Sequence, residues 1–166
     1  MSLDNFQIPS TLLPELYKDS LIVLDDKQSN PKKLNEKKVH FLGNNLKNIL
    51  ILVNNEEILH LGDDDLRFLT GILTACKLTF SDVAIFNTAS NLDYKFQQTV
   101  DHFKPKLILI MGTINQRFNL PDYSDKYQTI ENENIQLVFG SSLNEISKDV
   151  NEKKSLWNCL KQIFGI

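Results

Sequence analysis

From Val39 onwards the chain alternates short, continuous apolar runs with segments whose apolar residues recur every three or four positions. Val39-His-Phe-Leu, Gly43-Asn44-Asn45 and Ile49-Leu-Ile-Leu-Val53 together predict a hairpin leading into a buried strand. Val83-Ala-Ile-Phe86, Leu107-Ile-Leu-Ile-Met111 and Ile135-Gln-Leu-Val-Phe139 predict three further strands. Their apolarity is continuous rather than alternating, as in parallel strands covered on both faces. Between them, Leu66, Leu69, Ile72 and Leu73 follow an acidic cap at Asp63-Asp64-Asp65, and Phe96, Val100 and Phe103 repeat the helical spacing. Thr113 to Leu120 follows Gly112 as a short helix, and Asn151 to Phe164 forms the last helix, with Leu156, Leu160, Ile163 and Phe164 on one face and Trp157 packed beside them. This β-α alternation with short connections predicts an α/β fold, a three-layer α/β/α sandwich with a mainly parallel central sheet.

The chain before Val39 has a different character. Phe6 to Leu24 holds Phe6, Ile8, Leu12, Leu13, Leu16 and Tyr17 among two prolines, too apolar for an inert tail. Ser10, Thr11 and Pro14 suit the start of a short helix with Leu13, Leu16 and Tyr17 on one face. Asp25 to Lys38, broken at Asn30-Pro31 and rich in lysine, reads as a polar linker. The organisation expected is therefore a partner-binding segment and linker over 1–38, then one domain over 39–166. The start of the chain lacks the features of a secretory signal and no run reaches a membrane span, so a cytoplasmic protein with no membrane contact is expected.

At 166 residues with 42% hydrophobic and 23% charged content, the sequence has the balance of an ordinary globular domain. The net charge of −3 disfavours a large phosphate-binding surface, so direct DNA binding is expected to be weak or absent. Cys76 and Cys159 stand far apart, without ligand-spaced neighbours, in apolar helical patterns. Buried thiols are expected, with no metal and no cofactor.

From Gly62 to its end the chain resembles the uracil-DNA-glycosylase superfamily. The run from Leu66 to Asn87, with its Asp82-Val83 step and strand-end Asn, and His102-Phe-Lys-Pro-Lys106 leading into a strand that stops at Gly112, are similar to family segments in the same order. The resemblance implies an Asn that recognises the flipped-out base, an acidic or amide residue that positions water, and a His-Pro pair whose His stabilises the departing uracil. Here Asn87 matches the base-recognising position, unless it only satisfies local backbone groups at a strand end. Asn54-Asn-Glu-Glu-Ile-Leu-His60 stands where the Gly- and Pro-containing water loop would be, leaving Asn54, Glu56 or Glu57 to orient water. Ser142-Leu143 stands in place of His-Pro, a loss that removes about two to three orders of magnitude in rate.

The C-terminal sequence Leu143-x-x-Ile146-x-x-x-Val150-x-x-Lys153-x-x-Leu156-Trp157 resembles the closing motif of the psi subunits of the bacterial DNA polymerase III clamp loader, non-catalytic proteins of glycosylase-like fold. The spacing agrees throughout, with Val150 where that family has Pro. The resemblance implies a non-catalytic interaction subunit for DNA replication, with clamp-loader components as partners and Phe6, Ile8, Leu12, Leu13, Leu16 and Tyr17 as the docking segment. The alternatives are a divergent uracil-DNA glycosylase or other repair enzyme using Asn54, Glu56 and Asn87, and a domain that binds a small molecule at the strand ends.

Overall fold

The computed structural model describes residues 39–114, 118–120, 125–132 and 134–166. The proposed docking segment, Phe6 to Tyr17, and the linker to Lys38 lie outside the described residues. Strands β1 (Phe41–Gly43), β2 (Ile49–Val53), β3 (Val83–Asn87), β4 (Leu107–Met111), β5 (Thr129–Asn132) and β6 (Ile135–Gly140) form one sheet of order β1-β3-β2-β4-β6-β5. Four helices are described: α1 (Asp63–Ala75), α2 (Phe96–Phe103), α3 (Leu143–Lys148) and α4 (Val150–Phe164). The fold is α/β with a mixed sheet. Its four central strands run parallel, while β1 and β5 pair antiparallel at the two edges.

Every residue of β2, β3 and β4 is buried, as continuous apolar runs require. Alternate side chains divide between two clusters. Ile49, Ile51, Val83, Ile85, Leu107 and Leu109 pack with Leu69 and Leu73 of α1, Ile146 of α3, and Leu156, Cys159 and Leu160 of α4. Leu50, Leu52, Ala84, Phe86, Ile108 and Ile110 pack with Phe103 of α2 and Phe118. Phe86 meets the rings of Phe103 and Tyr94 edge to face, which adds directional contacts to that second cluster. Both cysteines are buried and free, as expected.

The expected hairpin does not form. β1 pairs with β3, which thus lies between β1 and β2. The connecting loop crosses the start of β3 instead, where the N–H groups of Asn45, Leu46 and Lys47 donate to the carbonyls of Val83, Ser81 and Asp82. Gly43 makes this crossing possible: its φ is +100°, and a Cβ there would lie 2.2 Å from the Val83 carbonyl oxygen. Asn91 then fastens the chain before β1, accepting from the His40 N–H and donating to the His40 carbonyl, each at 2.9 Å.

Two further differences concern the connection between β4 and β6. Thr113 and Ile114, at the start of the expected short helix, are not helical, and residues 115–117 lie outside the described set. β5 was not anticipated because Thr-Ile-Glu-Asn offers one apolar residue and no strand-like run. Its order comes from pairing with β6 in register Thr129 to Val138 through Asn132 to Ile135.

Candidate functional site

The parallel strands β2, β3, β4 and β6 all end at one edge, which gathers Asn54, Thr88, Gly112 and Ser141. The order of the sheet reverses between β2 and β4, the place where α/β sheets usually hold ligands. Asn54 is exposed and its side-chain oxygen accepts from the Thr88 hydroxyl at 3.1 Å. Glu56 and Glu57 are exposed on the loop that follows.

Asn87 is fully buried. Its Nδ2 donates to the carbonyls of Asn55 and Ile58, both at 2.7 Å, and its Oδ1 accepts from the N–H groups of Asn55 at 3.0 Å and Ala89 at 3.2 Å. An amide has two donors and one acceptor oxygen, so this side chain has no capacity left for a base. It ties the Asn54 to His60 loop to the end of β3. Of the three residues considered for catalysis, Asn54 and Asn87 meet at this edge through their loops, whereas Glu56 faces solvent.

Ser142 is likewise spent on the fold. It caps α3, its hydroxyl accepting from the Glu145 N–H at 3.3 Å while the Glu145 carboxylate accepts from the Ser142 N–H at 2.9 Å. That backbone donor holds the Glu145 carboxyl below its usual range. Gly112, at φ +88°, runs against this cap so closely that a Cβ would lie 3.2 Å from that of Ser142.

A second polar cluster carried no signal in the sequence because its members come from separate elements. Lys126 donates to the Ser141 hydroxyl at 2.8 Å, the Ser141 N–H donates to the Tyr127 hydroxyl at 3.1 Å, and that hydroxyl donates in turn to Glu152 of α4. Burial, then the bond to Glu152, pushes the Tyr127 phenol up, and the same bond holds the Glu152 carboxyl down. The network fastens the segment before β5 to α4. Ser141 is buried, so its hydroxyl anchors the segment and is not presented to solvent.

The histidines are placed separately. His102 packs edge-on against Phe41 and Phe103, and His60 holds an Nδ1 without a hydrogen-bond partner among the described residues. Among those residues, no group of His, Cys, Asp and Glu is arranged to hold a metal ion. No described helix is long and apolar enough to cross a membrane.

The largest departure from expectation is Trp157, which is 36% exposed rather than packed in the core. On α4 the buried stripe is Leu156, Cys159 and Leu160, and Trp157 lies one residue, about 100°, around the helix from Leu156. It lines a groove of about 220 Å³ together with Phe68, Gly71, Ile72 and Ala75 of α1 and Lys153, Leu156 and Leu160 of α4. The Lys153 ammonium stands 6.0 Å from the centre of the Phe68 ring. Gly71 is exposed, and a Cβ there would meet nothing within 4 Å, so the α1 wall is open.

The terminal stretch Leu143 to Trp157 divides between these environments. Leu143, Ile146 and Leu156 are core residues, and Lys153 and Trp157 line the groove. Val150 is the first residue of α4, after the cap Asp149 that accepts from the N–H groups of Asn151 and Glu152. This is the helical position where proline is best tolerated, because its missing N–H has no intrahelical partner. No family model matches the chain, and no curated protein matches it.

Proposed function

We propose that this chain is a non-catalytic protein-interaction subunit with a three-layer, glycosylase-like architecture, similar to the psi subunits of the bacterial replicative clamp loader. The observation that carries this reading is the exposed, apolar groove around Trp157, built partly from the psi-like motif itself. Trp and other large apolar groups in a concave site are the usual anchors of protein recognition. The state of the strand ends supports the same reading. Asn87 and Ser142, the two positions at which a glycosylase would read the base and stabilise the leaving group, spend their polar atoms on the loop and the helix cap. Val150, which departs from the Pro of the psi motif, is the first residue of α4, a position that tolerates proline, so the helix start is compatible with the motif.

The test is complex formation between the full chain and purified bacterial clamp-loader subunits, measured by size-exclusion chromatography and calorimetry. A stable complex is expected, weakened by removing Met1 to Leu24, whose apolar residues form the second proposed contact. Absence of binding to every subunit would overturn the assignment to the clamp loader.

A further inference from the structure

We infer that the α1/α4 groove takes an acidic amphipathic helix of a partner protein, apolar residues inward and carboxylates on its flanks. This rests on the reading of the groove as a docking surface and adds the chemistry of the occupant. The floor is apolar: Phe68, Ile72, Ala75, Leu156, Trp157 and Leu160. The rim is cationic. Lys153 lies in the groove wall, Lys154 and Lys161 stand three residues before and four after Trp157 on α4, and Arg67 stands four before Gly71 on α1. All four are exposed, and among the described residues none is ion-paired.

Within α1 and α4 the carboxylates stand towards the helix starts, at Asp63 to Asp65 and at the cap Asp149, and Glu152 is engaged by Tyr127. In a chain whose net charge is −3, four free cations around an apolar cleft are a local concentration that an acidic partner satisfies. The same charge disfavours a second copy seated groove to groove, which would set these lysines against their own counterparts. The concave shape disfavours a bilayer, whose flat surface engages protruding side chains. Two helices flanking an open apolar cleft suit a third helix, read by anchors at i, i+3, i+4 and i+7.

Trp157 is the sole tryptophan of the chain, so its fluorescence reports on this groove alone. The full-length protein is titrated with two synthetic helical peptides that share one Leu/Phe face and carry either glutamate or lysine on the remaining positions. The glutamate peptide is expected to shift the Trp157 emission to the blue, with affinity falling as salt rises, and to bind ~10-fold more tightly than the lysine peptide. Combined Lys153→Glu, Lys154→Glu and Lys161→Glu substitution, all at exposed sites, is expected to reverse that preference while leaving the thermal midpoint in place. Equal binding of both peptides would overturn the acidic partner and leave the docking groove standing. Binding of neither peptide, a blue shift only with phosphatidylglycerol vesicles, or one that appears on raising protein concentration alone, would also overturn it. Clamp-loader binding is read separately, so failure here and failure of the functional reading are distinguishable.

Discussion

Replacing Asn87 by Ala removes a fully buried amide that donates two hydrogen bonds, shortest to the carbonyls of Asn55 and Ile58 with the Ser90 hydroxyl and Leu59 carbonyl also in reach, and accepts two, from the N–H groups of Asn55 and Ala89. At about 1 kcal/mol net for each bond, the ceiling is ~4 kcal/mol. The loop is largely exposed, so some of its freed backbone groups gain water, and the expected cost is about 3 kcal/mol. For a domain of this size that lowers the thermal midpoint by roughly 10 °C. Asn87→Asp separates this account from simple loss of volume. It preserves the shape and the acceptor, but sets a carboxylate oxygen where Nδ2 lies 2.7 Å from two carbonyls. That carboxyl would have a raised pKa in the folded state, so its destabilisation is greatest at neutral pH and shrinks as the pH falls and the group protonates. Urea unfolding of both variants at pH 7 and pH 4 reads these effects. An Asn87→Ala midpoint within about 0.5 kcal/mol of the parent, or an Asn87→Asp deficit independent of pH, would refute the assignment of Asn87 as the fastener of the loop.

Gly43→Ala is expected to cost about 3 kcal/mol or more in urea unfolding, because a Cβ there meets the Val83 and Phe80 carbonyl oxygens at 2.2 and 2.6 Å in a left-handed backbone. Asp82, Glu145 and Glu152 all have carboxyls held below their usual range, by hydrogen bonds from Thr79, Ser142 and Tyr127 respectively. The stability they contribute is complete above their ordinary values of 3.8 to 4.5 and lost as pH falls through the lower folded-state values, so a thermal scan should decline below about pH 4.5. At the alkaline end the raised Tyr127 phenol has the opposite sign: its neutral form is favoured by the fold, and stability declines as pH rises beyond 10.0. Val150→Pro should leave the thermal midpoint unchanged or raise it by up to about 1 kcal/mol equivalent, and a large loss would show that Val150 is not the first residue of α4.

The strands were legible because burial on both faces leaves no polar position in Ile49–Val53 or Leu107–Met111, and the helices α1 and α4 because their apolar residues keep one stripe. What local pattern does not encode is the partner of each strand. Gly43 followed by two asparagines looks like a hairpin turn, yet the carbonyls that its loop satisfies belong to residues 35 to 38 positions later. Trp157 was misplaced for a related reason: helical period puts it beside the buried stripe, and only the width of the gap between α1 and α4 decides whether a neighbour covers it. Asn87 could be picked out as a strand-end amide, but its role depends on loop carbonyls about 30 residues earlier. The Lys126, Tyr127, Ser141 and Glu152 network was illegible for the same reason, since it joins a turn, a strand end and a helix through single contacts.

The claim that the strand-end positions serve the fold and not catalysis is tested most directly with uracil-containing single- and double-stranded oligonucleotides. The full-length protein is incubated in molar excess, followed by alkali and denaturing gel electrophoresis. The account predicts that both substrates remain intact, at the level of the buffer control. Strand breaks that appear with the parent protein and disappear with Glu56→Gln, a change at an exposed site outside the core, would contradict it.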